Sequence, residues 1–324
     1  MKRLIAEFEP QHFVQMVFPH EKTDWVEYLE EARVTFVNII NAIRRYEKVL
    51  LVCKDVKEAQ SYFDSLENIE FVKYETNDTW ARDISAISIK EDNEVMLYDF
   101  KFNAWGGKFE YERDNALTQT IASHYPHRVH HIDFILEGGG IESNGRGVLL
   151  TTAACMLNAN RNALDEAAMT QKLKEFFGLK EVLYLHNGYL AGDDTDSHID
   201  TLARFVDERT IMYVKCKNKE DEHYEELCKM EAELQAIAKE HDFSLIALPF
   251  CDPLYYDGER LPATYANFLL INGAVLVPLY GVAQDMEAME IFRKFFKDRD
   301  VIGIDCSVLV RQHGSLHCVT MNFH

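Results

Sequence analysis

Lys48-Val49-Leu50-Leu51-Val52-Cys53 has the length and the apolar content of a buried β-strand. It follows residues 25–46, in which apolar side chains recur at helical spacing between charged ones. A short helix over residues 56–66 and a second strand over residues 69–73 are predicted to come next. This alternation of helix and strand indicates an α/β layered fold.

The same alternation returns along the rest of the chain. Most helical patterns are followed by a β-rich run. The predicted helices lie near 115–124, 166–177, 221–240 and 284–297, and the predicted strands lie near 128–132, 181–185, 243–248 and 301–304. Asn272-Gly273 is a strong hairpin signal between strands at 266–271 and 274–279. Five units of roughly fifty to sixty residues predict radial or tandem repetition rather than one open parallel sheet. No linker rich in Pro, Gly or Ser separates them, so we predict one domain over residues 1–324.

The charge of the chain is strongly acidic, with 34 basic and 54 acidic side chains and a formal net charge of -20. This balance disfavours nucleic acid and anionic membranes as partners and favours a cationic substrate, although an acidic surface also simply aids solubility. The seven cysteines contain no CxxC pair, which is typical of a reducing compartment. With neither a signal peptide nor an apolar run of membrane-spanning length, the sequence predicts a cytoplasmic protein.

Two loop-like stretches carry charges that a core would not tolerate unpaired. The first, residues 76–83, contains Trp80, Arg82 and Asp83; it is either a surface ion pair of Arg82 with a neighbouring aspartate, or a carboxylate and an aromatic wall suited to a planar cation. The second, residues 135–142, places Glu137 before three glycines. It lacks GK[ST] and carries glutamates, so we prefer a close approach of backbone, or a plain tight turn, to a phosphate loop.

A third stretch, residues 192–205, is predicted to be extended, with Asp194, Asp196, His198 and Asp200 on one face. Its spacing does not fit an EF-hand, because the glycine and glutamate of that loop are missing. A transition-metal site using His198 and the nearby carboxylates stays open. In the acid–base alternative, His198 carries the proton and a carboxylate raises its pKa.

The fourth stretch, Gly314-Ser315-Leu316-His317-Cys318, puts a cysteine after a turn and before a β-favouring run. A thiol there is held rigidly and still meets solvent, as a nucleophile requires, whereas most free cysteines are simply small buried hydrophobes. Residues 317 and 318 are predicted to be adjacent on a strand and so to point to opposite faces, which makes His198 a better partner for Cys318 than His317.

Taken together, Trp80-Ala81-Arg82-Asp83, Glu137-Gly138-Gly139, His198-Ile199-Asp200 and the segment ending in Cys318 resemble the guanidine-modifying, or pentein, enzymes. The likeness is closest to the agmatine deiminases and the bacterial-type peptidylarginine deiminases, and it runs in the family's order from residue 76 to 320. The resemblance implies a five-bladed αβ propeller. The chain departs from the family at Ser315 and Leu316, where relatives often carry a second glycine, which leaves the shape of this turn open.

The resemblance also implies roles for the residues of these stretches. Cys318 becomes the nucleophile, His198 the general acid and base, Asp83 and Asp200 the carboxylates that grip a guanidinium, and Glu137 the group that holds His198 and the leaving nitrogen. Trp80 becomes a wall of the substrate channel, and Asp194 a carboxylate near the pocket.

Within the family, the substrate is agmatine, free arginine or peptidylarginine. We predict agmatine, giving N-carbamoylputrescine and ammonia for polyamine synthesis, because no free arginine is evident to bind an α-carboxylate. No metal or organic cofactor is expected, and a dimer or tetramer stays open. Two alternatives come from other classes: a metal-dependent hydrolase using residues 194–200, and an inactive protein of the same fold that binds agmatine.

Overall fold

A computed structural model describes residues 2–92 and 94–324 of the chain. In this part of the chain, the strands form five sheets of three or four strands and one two-stranded hairpin. In each of the five sheets, one strand pairs antiparallel with a central strand, and a helical connection then leads to a strand parallel to that central strand. The predicted α/β class is confirmed.

The strands, in chain order, are β1 Lys2–Leu4, β2 Phe13–Val17, β3 Lys48–Cys53, β4 Ile69–Lys73, β5 Ile87–Glu91, β6 Glu94–Lys101, β7 Val129–Ile135, β8 Glu142–Ser143, β9 Val148–Thr152, β10 Glu181–Leu185, β11 Ala203–Phe205, β12 Thr210–Lys215, β13 Ser244–Pro249, β14 Tyr255–Tyr256, β15 Glu259–Arg260, β16 Leu269–Ile271, β17 Ala274–Leu279, β18 Asp300–Asp305 and β19 Met321–Phe323. The α-helices are α1 Leu29–Ile43, α2 Val56–Gln60, α3 Ala81–Ile84, α4 Ala104–Gly107, α5 Glu112–Thr120, α6 Ala153–Met156, α7 Glu166–Phe177, α8 Tyr224–His241 and α9 Gln284–Phe295. Short 3-10 helices cover Val26–Tyr28, Ala122–His124, Gly138–Gly140, Ile199–Thr201 and Leu309–Gln312.

The sheets have the strand orders β1-β5-β6-β7, β10-β9-β8, β11-β12-β13, β16-β17-β18 and β19-β2-β3-β4, and β14-β15 is the hairpin. The last sheet joins distant parts of the chain, because β19 pairs antiparallel with β2 and places Asn322 opposite Val14. No helix within residues 2–92 and 94–324 is long and apolar enough to cross a membrane.

Local sequence patterns account for most element positions. In β3, every residue after Lys48 is buried, as a strand with both faces covered requires. The hairpin at Asn272-Gly273 is confirmed between β16 and β17, and Gly273 has the positive φ of 74° that such a turn favours. The helix predicted over residues 25–46 is shorter, because Val26–Tyr28 form a 3-10 turn before α1 begins.

Candidate active site

Five segments of the chain meet at one place, each just ahead of the strand that pairs antiparallel with a central strand. They carry Asp83 before β5, Glu137 before β8, His198 and Asp200 before β11, Asn267 before β16 and Cys318 before β19. Contacts link them in turn: Gly139 N to Asp83 Oδ1 (2.8 Å), His198 Nε2 to Glu137 Oε2 (4.0 Å), Asn267 Nδ2 to Asp200 O (3.4 Å), His317 N to Asn267 Oδ1 (2.9 Å) and Arg82 N to Cys318 O (3.1 Å).

The thiol of Cys318 is partly exposed in the turn that precedes β19. It donates to Asn267 Oδ1 at 3.4 Å, and the same oxygen accepts from the backbone N–H of Cys318. Desolvation, and then the negative charges of Asp200 and Asp83, raise the pKa of this thiol well above its usual value. The resting form at neutral pH is therefore the thiol.

Asp83 lies on the short helix α3 and is buried. Its Oδ1 accepts from the backbone N–H of Gly139 at 2.8 Å, and its Oδ2 accepts from Trp105 Nε1 at 2.9 Å. A Cβ on Gly139 would lie 2.7 Å from His198 Nδ1 and 3.0 Å from Asp83 Oδ1, so only glycine fits between these side chains. This is the close backbone approach predicted for the three glycines.

His198 is 2% exposed and has a carboxylate on each side. Its Nδ1 lies 3.7 Å from Asp83 Oδ2, and its Nε2 lies 4.0 Å from Glu137 Oε2. Burial alone would lower the pKa of His198, but Asp83, Cys155 and Glu137 together raise it well above the usual value. The imidazole is thus protonated near neutral pH, as a general acid must be.

Glu137 is fully buried and is held by Arg161, whose Nε donates to both carboxylate oxygens at 3.0 Å. Arg161 also donates to Asp196 Oδ2 at 2.7 Å through Nη1. Arg161 therefore pairs with two acidic side chains at once, one of them fully buried. The structure therefore brings Glu137 beside His198 but fixes it through a residue that the sequence analysis did not identify.

The third stretch differs from its prediction. Asp196 and Ser197 have positive φ angles of 66° and 65°, and Ile199–Thr201 form a 3-10 helix, so the segment is not extended and the predicted shared face is wrong. Asp196 points to Arg161 and Lys108, whereas Asp200 is buried beside His317. The reason is that aspartate tolerates the left-handed region where most residues do not.

His317 also differs from its prediction, because residues 317 and 318 lie in a turn and not on a strand. Its Nδ1 lies 2.7 Å from Asp200 Oδ2, and its Nε2 lies 2.6 Å from Glu7 Oε2. Burial alone would raise the pKa of Asp200, but the hydrogen bond from His317 and its charge lower it. His317 therefore belongs to the site through Asp200.

Arg82 does not form the surface ion pair with a neighbouring aspartate that was one of the two alternatives for the first stretch. Its Nη2 donates to Asn322 Oδ1 at 2.6 Å and lies 3.3 Å from Glu7 Oε2. The side chain is buried, and its Nε also donates to the backbone carbonyl of His317 at 3.4 Å, so the buried guanidinium has acceptors here.

A cavity of about 410 Å³ opens onto these segments. Five of the seven predicted site residues line it: Cys318, Asp83, Asp200, Trp80 and Asp194. Its other lining residues are mainly acidic or aromatic and include Asp24, Asp78, Glu110, Asp114, Asp193, Phe102, Trp105 and Phe109. His198 and Glu137 are buried close behind Asp83.

The turn before Cys318 packs closely against Trp80. A Cβ on Gly314 would lie 2.1 Å from Cζ3 of Trp80, which explains a glycine at this position. Ser315 is buried, and its hydroxyl lies 2.8 Å from the hydroxyl of Tyr280. The shape of this turn, which the sequence left open, thus includes a hydrogen bond of Ser315.

The hypothesis of a metal site on residues 194–200 is not favoured by the geometry. The group of described residues whose ligand atoms lie close enough together is Glu137, Cys155 and His198. His198 is the one residue of the third stretch that belongs to this group. Glu137, another member of the group, is already paired with Arg161.

The sequence analysis missed four residues of the site: Glu7, Trp105, Arg161 and Asn267. It also missed the contact of His317 with Asp200. Trp105 had one available signal, since it precedes two glycines in a short loop. The others had none, because each acts through a partner that is distant in the sequence.

The chain is similar to known proteins over nearly its whole length. The model of the Porphyromonas-type peptidyl-arginine deiminase family matches residues 3–323. Agmatine deiminase from Pseudomonas aeruginosa (strain LESB58) is 28% identical, over 98% of this chain and 94% of its own length.

Solved protein structures are also similar to this chain over nearly its whole length. A cysteine-to-serine variant of C. jejuni agmatine deiminase with substrate bound is 44% identical, with a TM-score of 0.96 over 100% of this chain and 96% of its own. Agmatine deiminase of Enterococcus faecalis is 26% identical, with a TM-score of 0.92 over 99% of this chain and 95% of its own. The chain belongs to the Porphyromonas-type peptidyl-arginine deiminase family, within the pentein superfamily of guanidine-modifying enzymes.

Proposed function

We propose that this protein is an agmatine deiminase, which hydrolyses agmatine to N-carbamoylputrescine and ammonia through a covalent thiouronium on Cys318. The observation that carries the proposal is one partly exposed cysteine and two buried carboxylates, Asp83 and Asp200, on the wall of a single cavity. Relatives named agmatine deiminase, one of them with substrate bound, span nearly the whole chain and support it.

Binding follows from the shape and charge of the guanidinium. This cation is planar and presents N–H donors in forks that match carboxylates. Asp83 and Asp200 take its two edges, and Oδ1 of Asp200 has no hydrogen-bond partner among the described residues. Trp80 forms a wall of the channel beside them.

Catalysis begins when the bound cation lowers the pKa of Cys318 and the thiol releases its proton to solvent water. The thiolate adds to the central carbon and gives a tetrahedral adduct, and protonated His198 donates to the leaving nitrogen. Ammonia departs and leaves the thiouronium. Water, deprotonated by His198, adds to the same carbon, the C–S bond breaks, and the ureido product is released. Glu137 orients His198 during both proton transfers.

The acidic cavity favours agmatine over arginine. Of the residues that line it in the described part of the chain, Lys22 is the one lysine or arginine, and its Nζ already pairs with Glu75 at 3.0 Å. Burial, and then the charges of Asp24 and Asp114, raise the pKa of Asp78 well above its usual value. A primary ammonium would relieve this repulsion, with Asp194 also nearby, whereas an α-carboxylate would increase it.

The fold, the class of partner, the location and the pathway of the protein are proposed on the same grounds. The contacts that link the five segments in a closed series support a five-bladed αβ propeller in one domain over residues 1–324. The net charge of -20 supports a small cation, and not nucleic acid or membrane, as the partner, and the seven free cysteines support a cytoplasmic location. The product would enter polyamine synthesis.

The test is ammonia release by the purified protein from agmatine, arginine and an arginine-containing peptide. We expect turnover of agmatine only, loss of turnover and of the covalent adduct in Cys318→Ser, and full turnover in Cys228→Ser, whose thiol is also partly exposed. No turnover of agmatine, or equal turnover of arginine or the peptide, would refute the substrate. Loss of activity in a chelator would favour the metal-dependent hydrolase, and binding of agmatine without an adduct would favour the inactive protein.

A further inference from the structure

The ring of His317 lies between two buried carboxylates. Its nitrogens are 2.7 Å from Asp200 Oδ2 and 2.6 Å from Glu7 Oε2, and the side chains are 2%, 1% and 9% exposed for His317, Asp200 and Glu7. An ionised carboxylate only accepts hydrogen bonds, so both ring nitrogens must carry hydrogen for both bonds to form.

Both carboxylates are held in the ionised form. Burial opposes the charge on Glu7, but Arg204, His317 and Arg82 keep its pKa well below the usual value. The pKa of Asp200 is also lowered, against burial, by His317, His198 and Arg204. The titratable and charged groups that face this network from neighbouring segments include Glu47, Arg82, Asp83, Glu142, His198, Arg204, Cys318 and His324.

We propose that His317 is a positioning residue, held as an imidazolium, that fixes Asp200 for the substrate guanidinium. This inference rests on the proposed function. His317 occupies Oδ2 of Asp200, which leaves Oδ1, without a partner in the described residues, to accept from the substrate. Its positive charge also keeps Asp200 ionised beside Asp83 before the cationic substrate arrives.

Nitrogen NMR of the intact protein, labelled with ¹⁵N-histidine, tests the protonation directly. At pH 8 we expect imidazolium signals from His317 and from His198, and His198→Asn should remove only the second. His223 is the internal reference: its Nδ1 faces Asp221 at 2.7 Å, but its Nε2 accepts from Ala191 N at 2.8 Å, so it must be a neutral imidazole. A neutral His317 at this pH would overturn the proposal.

Kinetics of His317→Asn test the function of that charge, since asparagine can still donate to Asp200 but is neutral. We expect kcat/KM for agmatine near the parent value at pH 9 and at least about tenfold below it at pH 6.5, mainly through KM, because Asp200 then becomes protonated. His317→Ala should lose activity at every pH. His223→Asn should lower Tm and leave the pH dependence of KM unchanged.

The outcomes separate this inference from the proposed function. A parent protein that does not turn over agmatine refutes the function, whatever the NMR result. An active parent with a pH-independent loss in His317→Asn, or with no loss, refutes the positioning role alone. If His317→Asn does not fold, the NMR experiment on the intact chain still decides.

Discussion

Cys318 is the proposed nucleophile, and its surroundings disfavour the thiolate, which is its reactive form. The carboxylates of Asp83 and Asp200, which raise the pKa of the thiol, are the groups that would bind a guanidinium. A bound cation cancels their effect on the thiol. The reactive thiolate therefore forms chiefly when substrate is present, and the resting enzyme is protected from oxidation and alkylation.

This predicts slow alkylation of the free enzyme by iodoacetamide at neutral pH. Because the pKa of Cys318 is raised, its thiolate fraction at pH 7 is below that of an ordinary thiol, and the rate should still be rising above pH 9. Replacing Asp200 by Asn removes one negative charge and should speed alkylation while abolishing turnover. The measurement is mass-spectrometric modification of residue 318 against pH, with Cys318→Ser as the background. A plateau below pH 8 would contradict it.

At the scale of single residues, the sequence indicates the side chains whose charge or reactivity does not fit a purely structural role. Asp83, His198, Asp200 and Cys318 were identified, and the structure brings them together. Glu7 was not, because its partner His317 lies 310 positions away. Pattern and spacing describe neighbours in the chain, and contacts of this range are decided by the folded topology.

The element that organises the site is the segment before each antiparallel strand. Asp83, Glu137, Asp200, Asn267 and Cys318 occupy equivalent places in five sheets. Asn267 gave no signal in the sequence, because asparagine is common in loops. Its position shows its role, since its Oδ1 accepts from the backbone of His317 at 2.9 Å and from the thiol of Cys318 at 3.4 Å.

Replacing Asn267 by Ala should therefore lower kcat for agmatine by about tenfold or more, because the turn carrying Cys318 loses its acceptor. Asn272→Ala is the matched control, since Asn272 lies at the other end of β16 and hydrogen bonds with Gln11 and Glu47 instead. Both variants should lose about 1–3 kcal/mol of unfolding free energy, measured in urea. Equal kcat in the two variants would show that Asn267 has only a structural role.

Elements were predicted better than the loops between them. β3, β4, β10, β17 and α7 have the predicted bounds, since their apolar periodicity is local. The prediction for the third stretch is wrong because alternating polar residues do not by themselves specify an extended backbone. Its positive φ angles and 3-10 turn bring Asp196 to Arg161 and Asp200 to His317.

For the whole molecule, the sheet β19-β2-β3-β4 connects the site to the core. Phe323 on β19 is fully buried, with ring centroids of Phe13 at 4.7 Å and Tyr125 at 5.1 Å. Phe323 is five positions after Cys318, and Asn322 between them binds Arg82. We therefore expect the packing of this strand to set the position of Cys318.

Phe323→Ala should lower the unfolding free energy by about 3–5 kcal/mol and also reduce kcat/KM of the protein that remains folded. Phe177→Ala is the comparison, because Phe177 is equally buried but packs beside Phe100 in another sheet. It should cost similar stability and keep its kcat/KM. The measurements are thermal unfolding and ammonia release at 25 °C, and equal activity in the two variants would contradict the link between β19 and the site.

The pairing of β19 with β2 also determines when activity appears during biosynthesis. Residues 13–73 leave the ribosome with three of the four strands of their sheet, and the free edge of β2 has no partner until residues 321–323 have been made. An unpaired edge favours association with other chains, so we expect a chain that has not yet made β19 to be prone to such association. The same pairing precedes the formation of the turn that carries Cys318 in its folded position, so a chain without β19 would lack an ordered site.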